Sequence, residues 1–331
     1  MPKGIEKLTC LRTLREFYVS GSDFSSKACS IECLNQFCHL EGYLGIKGLG
    51  NLANVSEARR IQLTNDKNIY NLSLDFSGPY SVNNEAILKA LQPPLNLLQL
   101  RISKYAGTVL PTWMTSITNL RRICLVEWIN CQQLPSLGKV SSLESIYIRG
   151  MKSVKRVGNE LLGLENDDIT WLSSSLSFTA LPKLKSLKFY EMEEWEGWDF
   201  GNEDDNITIM FSYLRLLEIR NCPKLKVLPK QILRAPRLEV LSIDQCTILR
   251  DHYKKGTSWS NISHIPNIKI DGQYVQRDGI ELSGMDMYLT PEIRRAELSS
   301  SVSHGFGLNL HFRCVKWYQS RGEPVNDVRR R

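Results

Sequence analysis

Leu97-Leu-Gln-Leu100-Arg-Ile102 recurs 23 residues on as Leu120-Arg-Arg-Ile123-Cys-Leu125, and after a further 23 as Leu143-Glu-Ser-Ile146-Tyr-Ile148. The same placing of apolar residues at first, fourth and sixth positions returns in Leu184/Leu187/Phe189, Leu214/Leu217/Ile219 and Leu238/Leu241/Ile243, at steps of 41, 30 and 24 residues. Two apolar residues one position apart suit a short strand, in which alternate side chains face the same way. A single apolar row per unit has nothing to bury against until a neighbouring unit stacks on it. A period of this length therefore implies a solenoid of stacked units.

Working outward in the same register, Ile69/Leu72/Leu74 and Ile265/Ile268/Ile270 extend the series, with looser units at Leu40/Leu44/Ile46 and Leu8/Leu11/Leu14. The period predicts an α/β leucine-rich-repeat solenoid, a horseshoe with a parallel sheet of short strands on its concave face and irregular or short helical returns on the convex face. Asn54 with Glu57 three residues on has the form of a capping box, and Asn84 followed by Glu85–Leu91 reads as a capped helix stopped by Pro93-Pro94. Prolines in Leu134-Pro-Ser-Leu137-Gly and Val227-Leu228-Pro229 leave room for tight turns or single helical turns. The long steps place insertions near 155–179 and 193–210. The second is acidic and tryptophan-bearing, from Glu193-Glu-Trp195-Glu-Gly-Trp198-Asp199 to Glu203-Asp-Asp205; it is expected to be a solvated loop anchored by its aromatics or, less simply, a dock for a basic partner. About ten repeats then fill residues 1–272. Residues 273–331 form an extension that lacks the period and is expected to be partly disordered, with Thr290-Pro291 opening a short helix.

Alternation fixes which residues leave the core. One outward column follows the second apolar residue of each unit: Ser73, Arg101, Cys124, Tyr147, Lys188, Glu218, Ser242 and Lys269. Another follows the third: Asp75, Ser103, Val126, Arg149, Tyr190, Arg220, Asp244 and Asp271. Aromatics bury much area at low entropic cost and arginine forms several hydrogen bonds, so the central rungs are the natural partner site. The candidate residues are Arg101, Tyr147, Arg149, Lys188, Tyr190, Glu218, Arg220 and Asp244. A third set, Tyr105, Trp128, Met151, Met192, Cys222 and Cys246, lies three positions past the last apolar residue and is expected to pack in the core.

Composition excludes more than it suggests. No stretch is long and apolar enough for a membrane span, and the start has no secretory layout, so a cytoplasmic location is expected, with the nucleus open. The formal charge of +7 comes from interspersed residues; apart from Arg329-Arg-Arg331 no basic run points to nucleic acid. Nine scattered cysteines are expected to be reduced core thiols. Cys29, Cys33, Cys38 and His39 match no zinc spacing, five dispersed histidines suggest no catalytic set, and no nucleophile elbow or phosphate-binding loop is found. No enzyme activity, metal or cofactor is expected.

The segments between strands carry a closer likeness. Tyr105-Ala-Gly-Thr-Val-Leu-Pro111-Thr-Trp113-Met114, Cys131-Gln-Gln-Leu134-Pro-Ser-Leu137-Gly138, Met151-Lys-Ser-Val154-Lys-Arg-Val157-Gly158, Cys222-Pro-Lys-Leu225-Lys226 and Trp259-Ser-Asn-Ile262-Ser-His-Ile265-Pro266 resemble the repeat region of plant nucleotide-binding leucine-rich-repeat disease-resistance proteins of the coiled-coil class. The resemblance runs from Met1 to about Gly272. It implies a recognition and regulatory module that binds protein partners on the concave face: a pathogen effector or guarded host protein, and a nucleotide-binding domain in cis or in trans. Family members carry that nucleotide-binding domain ahead of the repeats. This chain has no such phosphate-binding string and begins at a point resembling the interior of the family's repeats, so neither ATP nor ADP is assigned. The alternative is a stand-alone repeat scaffold or a non-functional truncated product.

Overall fold

Each apolar-x-apolar core forms a strand. The computed structural model describes residues 1–21, 28–63, 68–79, 83–164, 177–179, 181–200, 208–253 and 258–282. All the described elements belong to one compact unit, Met1–Met287. The helix expected from Thr290 and the rest of residues 283–331 lie outside the described residues, as do Asp167, Asp168 and Glu203–Asp205 of the insertions.

In chain order the strands are β1 (Glu16–Tyr18), β2 (Glu41–Lys47), β3 (Asn68–Asp75), β4 (Gln99–Ser103), β5 (Arg122–Val126), β6 (Ser145–Arg149), β7 (Arg156–Val157), β8 (Ser177–Thr179), β9 (Ser186–Tyr190), β10 (Gly197–Trp198), β11 (Thr208–Met210), β12 (Leu216–Arg220), β13 (Val240–Asp244), β14 (Asn267–Ile270), β15 (Gln273–Arg277) and β16 (Ile280–Glu281). The main sheet runs β1-β2-β3-β4-β5-β6-β9-β12-β13-β14-β15-β16. It is parallel from β1 to β14, and β15 and β16 then close it antiparallel. The leucine-rich-repeat solenoid read from the period is the fold observed, and beyond Gly272 the sheet gains these two antiparallel strands.

Register is held at both ends of the central strands. Entering a strand, two successive amides share one carbonyl of the preceding repeat: Arg121 and Arg122 donate to Leu98, Glu144 and Ser145 to Arg121, Arg215 and Leu216 to Lys185. Leaving it, the chain turns through a left-handed residue: Gly48, Lys104, Glu127, Gly150, Glu191, Asn221 and Gln245 all have positive φ. That conformation costs a residue with a side chain roughly 1–2 kcal/mol. It persists because it aims one further amide at the next strand, as in Lys104 to Val126, Glu127 to Arg149 and Asn221 to Asp244, at 2.8–2.9 Å. At Gln245 the Asp271 carboxylate substitutes for the backbone acceptor, at 2.9 Å.

The inward pairs Leu72/Leu74, Leu100/Ile102, Ile123/Leu125, Ile146/Ile148, Leu187/Phe189, Leu217/Ile219 and Leu241/Ile243 are all buried. So are Tyr105, Trp128, Met151, Met192, Cys222 and Cys246, the column read as core packing. The returns are short. Asn54 caps Val55–Arg59 by accepting from the Glu57 amide, whereas Asn84 is the first residue of its helix, Asn84–Ala90, and not the cap. Gly138, in a 3-10 turn over Leu137–Lys139, lies so close to the Leu162 carbonyl that a Cβ there would collide with it.

Three further expectations change. The first strand is not formed by Leu8/Leu11/Leu14: Phe17 pairs with Ile46, Leu8 is exposed, and Leu11 and Leu14 pack only partly buried against the core, because the chain there follows the backbone register of β2 rather than the leucine spacing. The two insertions also pair with each other, β7 with β10 and β8 with β11, so they stack as neighbouring returns. Finally, Cys29 and Cys33, expected as reduced thiols, form a disulfide with Cα atoms 6.4 Å apart; Cys10, Cys38, Cys124, Cys131, Cys222 and Cys246 are in no disulfide, as expected.

Alternation makes a sharp expectation for neighbours in one strand. Leu241→Ala should cost about 2–5 kcal/mol in urea unfolding through loss of buried contacts and the cavity left behind. The outward Ser242→Ala should change stability by about 0.5 kcal/mol or less. Equal effects would overturn the register. Glu127→Gly, which relieves a left-handed side chain, should raise stability by up to about 1 kcal/mol in the same measurement.

Candidate functional site: the outward face of the sheet

The strand register places every candidate residue where the sequence put it. Arg101, Cys124, Tyr147, Lys188, Glu218 and Ser242 are successive partners across β4, β5, β6, β9, β12 and β13. Ser103, Val126, Arg149, Tyr190, Arg220 and Asp244 form the second line. A third outward line was missed: Tyr43, Asn71, Gln99, Arg122, Ser145, Ser186, Leu216, Val240 and Asn267. It lies two positions before the first column, so the alternation already contained it.

The centre of the face is knitted together. Tyr147 and Tyr190 meet edge to face with centroids 5.1 Å apart. Tyr190 donates its hydroxyl to Glu218, which also takes the Lys188 ammonium at 2.7 Å. Arg149 pairs with Glu191 at 2.7 Å and Arg220 with Asp244 at 2.5 Å. Glu191 is absent from the outward columns because it follows the strand at a left-handed corner, where the period-two rule no longer applies. Toward β2, Gly45 leaves room for Tyr43, whose hydroxyl lies about where a Cβ on Gly45 would make tight contact. Arg101 donates to the Cys124 sulfur at 3.0 Å.

These contacts set the titration of the face. Burial pushes Tyr147 and Tyr190 up, the latter also because its hydroxyl serves Glu218. Burial alone would raise Glu218 too, but hydrogen bonds from Lys188 and Tyr190 win and hold its carboxyl below the ordinary range. Hydrogen bonds to Glu191 and Asp244 raise Arg149 and Arg220. The candidate charges are thus largely paired within the sheet, and the face is preorganised.

The acidic, tryptophan-bearing stretch is built differently from a dock. Trp195, Trp198 and Phe200 are buried, continuing an aromatic chain from Phe189 to Phe211. Its carboxylates bridge to lysines of the repeats on either side: Glu193 to Lys152 at 2.9 Å and Glu194 to Lys224 at 2.7 Å. Exposed pairs of this kind are screened by water and add little; the aromatics are what anchor the stretch. Among the described residues, Glu6, Cys29 and Cys33 have the nearest thing to metal-ligand geometry, and the disulfide already uses both sulfurs.

Glu218 gives a signed pH expectation. Because its folded value lies below the unfolded one, its pairing adds stability above the ordinary carboxylate value of 4.5 and loses it as pH falls through the lower, folded value. Urea midpoints measured from about pH 6 down to pH 3 should therefore fall less steeply for Glu218→Gln than for the native chain. Parallel curves would show that the pairing contributes nothing.

Residues 31–151 match the family described as R13L1/DRL21 LRRs. The chain is 28% identical over 257 residues to a disease resistance RPP13-like protein 1 of Arabidopsis thaliana, covering 72% of this chain and 23% of that protein. It is 30% identical over 202 residues to the disease resistance protein RGA2 of Solanum bulbocastanum, covering 59% and 19%. The chain thus spans about a fifth of the length of these relatives. A solved structure, the leucine-rich-repeat domain of the type III effector XopL, aligns at 16% identity with a TM-score of 0.34 over 71% of this chain and 70% of that one. Over its repeats, then, the chain is similar to the leucine-rich-repeat regions of plant disease resistance proteins.

Proposed function

We propose that this repeat array is the recognition and regulatory module of an intracellular plant immune receptor, acting by protein binding on the outward face of its sheet. The observation that carries the reading is the run of outward columns across stacked parallel strands, with the Tyr147–Tyr190 pair at its centre. Aromatics held rigid before a partner arrives lose little further freedom on binding, and such residues dominate interface energetics. Arg101, Tyr147, Arg149, Lys188, Tyr190, Glu218, Arg220 and Asp244 form the contact surface. Its partners are a pathogen effector or guarded host protein, and the nucleotide-binding domain of a resistance protein in cis or in trans. Binding regulates only if it favours one state of that domain over another. The mechanism involves no chemical step, no metal and no cofactor, and the module acts in the cytoplasm or the nucleus. No helix among the described residues is long and apolar enough to cross a membrane.

The test is titration of the purified chain against a co-expressed nucleotide-binding domain, or an effector, recovered with it from plant-cell extract. Tyr147→Ala/Tyr190→Ala should weaken binding by about 1–3 kcal/mol while leaving the thermal unfolding cooperative. Unchanged affinity would move the site to the returns.

A further inference from the structure

The outward face divides electrostatically into two unlike halves. On β9, β12 and β13 the outward positions are Ser186, Lys188, Tyr190, Leu216, Glu218, Arg220, Val240, Ser242 and Asp244. Each cation there has a carboxylate on the next strand, Lys188 with Glu218 and Arg220 with Asp244. On β4, β5 and β6 the corresponding positions are Gln99, Arg101, Ser103, Arg122, Cys124, Val126, Ser145, Tyr147 and Arg149. They hold three arginines and no carboxylate. Arg149 is met by Glu191 from beyond the strand. Arg101 and Arg122 have no carboxylate partner among the described residues: Arg101 spends one donor on the Cys124 sulfur, a weak acceptor, and Arg122 is exposed.

The acids that border this half are engaged elsewhere. Asp75 accepts from Ser77 and Ser103, and Glu144 holds Lys185 at 2.9 Å and lies 3.8 Å from Arg121, with Arg122 in its field but in no ion pair with it. Glu127 sits past the strand end in the field of Lys152. Guanidinium donors left over beside Tyr43 and Tyr147 match carboxylates that arrive on a chain with apolar or aromatic residues between them.

We infer that β4–β6 form the docking site for an acidic polypeptide segment, its carboxylates paired with Arg101 and Arg122 and its backbone laid across the face beside Tyr147. This rests on the reading of the face as a protein-binding surface and narrows it, moving the charged contact from the paired half to the unpaired one.

A fluorescein-labelled peptide of about twelve residues alternating glutamate and serine, with a glutamine/serine counterpart, tests it by fluorescence anisotropy against the full chain. The glutamate peptide should bind, losing at least about tenfold in affinity as salt rises from about 50 to about 300 mM. R101Q/R122Q should weaken it at least about tenfold, and the exposed Arg122→Gln alone severalfold. K230Q/R234Q, which removes the same charge from the returns, should change it less than about twofold. Equal binding of the glutamine peptide, no binding of the glutamate peptide, an unaltered Kd in R101Q/R122Q, or tighter binding of a single-stranded oligonucleotide through the same arginines would each overturn the assignment. If the glutamate peptide fails while Tyr147→Ala/Tyr190→Ala still weakens capture of a whole partner, the charge assignment falls and the protein-binding reading survives; loss of both effects removes both.

Discussion

Everything in this molecule depends on one repeat satisfying the backbone and the apolar row of the next. A strand of about five residues has too little area to be stable alone, and its edge amides would be left to water. Stacking in parallel register solves both problems together, since the carbonyl row of one strand takes the amides of its neighbour while Leu100/Ile102 pack against Ile123/Leu125 and so along the array. The left-handed corners belong to the same constraint. A conformation that Lys104, Glu127, Glu191 and Asn221 would avoid in isolation is imposed because it delivers one more inter-repeat hydrogen bond at the strand's end.

The same logic explains how the sheet changes at β14. There the next parallel strand is replaced by an antiparallel one, and acceptors that a further repeat would have provided come from side chains or from a reversed chain. Asp271 receives the Gln245 amide and also holds Arg250 at 3.2 Å. The buried Gln276 on β15 donates to the carbonyls of Ser263 and Ile265, at 2.8 and 2.7 Å. Lys269 and Arg277 both stand over the Tyr274 ring, covering the turn with aliphatic stems and charge. The repeat architecture is here finished by polar side chains.

Period-two alternation made the face legible in the sequence: Tyr147 beside Lys188, and Arg149 beside Tyr190, followed from position alone and are register partners in the sheet. What position could not give was pairing. Arg149 looked available for a partner, but its mate is Glu191, which stands outside the strand and so outside any alternation rule. The first repeat misled for a related reason, since Leu8, Leu11 and Leu14 have leucine spacing while the backbone places Phe17 opposite Ile46. Likewise β7 and β10 are two residues each, too short to show a period, and are found through the strand they pair with. The partner chemistry of the candidate site was legible as a residue list and invisible as an electrostatic pattern.

That pattern bears on how such a surface can be specific. Where Lys188 and Glu218, or Arg220 and Asp244, already satisfy each other, a partner must compete with a formed pair, and the gain on exchanging one for another is small. Those pairs are better regarded as struts that hold Tyr190 in place: its hydroxyl is tied to Glu218 and its ring meets Tyr147. Arg101 and Arg122 are in no such ion pair: Arg101 gives one donor to the Cys124 sulfur and Arg122 stands in the field of Glu144, so a carboxylate reaching them has no formed pair to break. An approaching acidic chain is drawn toward Arg101 and Arg122 on β4 and β5 and meets Tyr147 on β6, so attraction and packing act on adjacent strands. Changes in the unpaired arginines can therefore alter which charge pattern is selected without loosening the ladder that keeps the repeats in register.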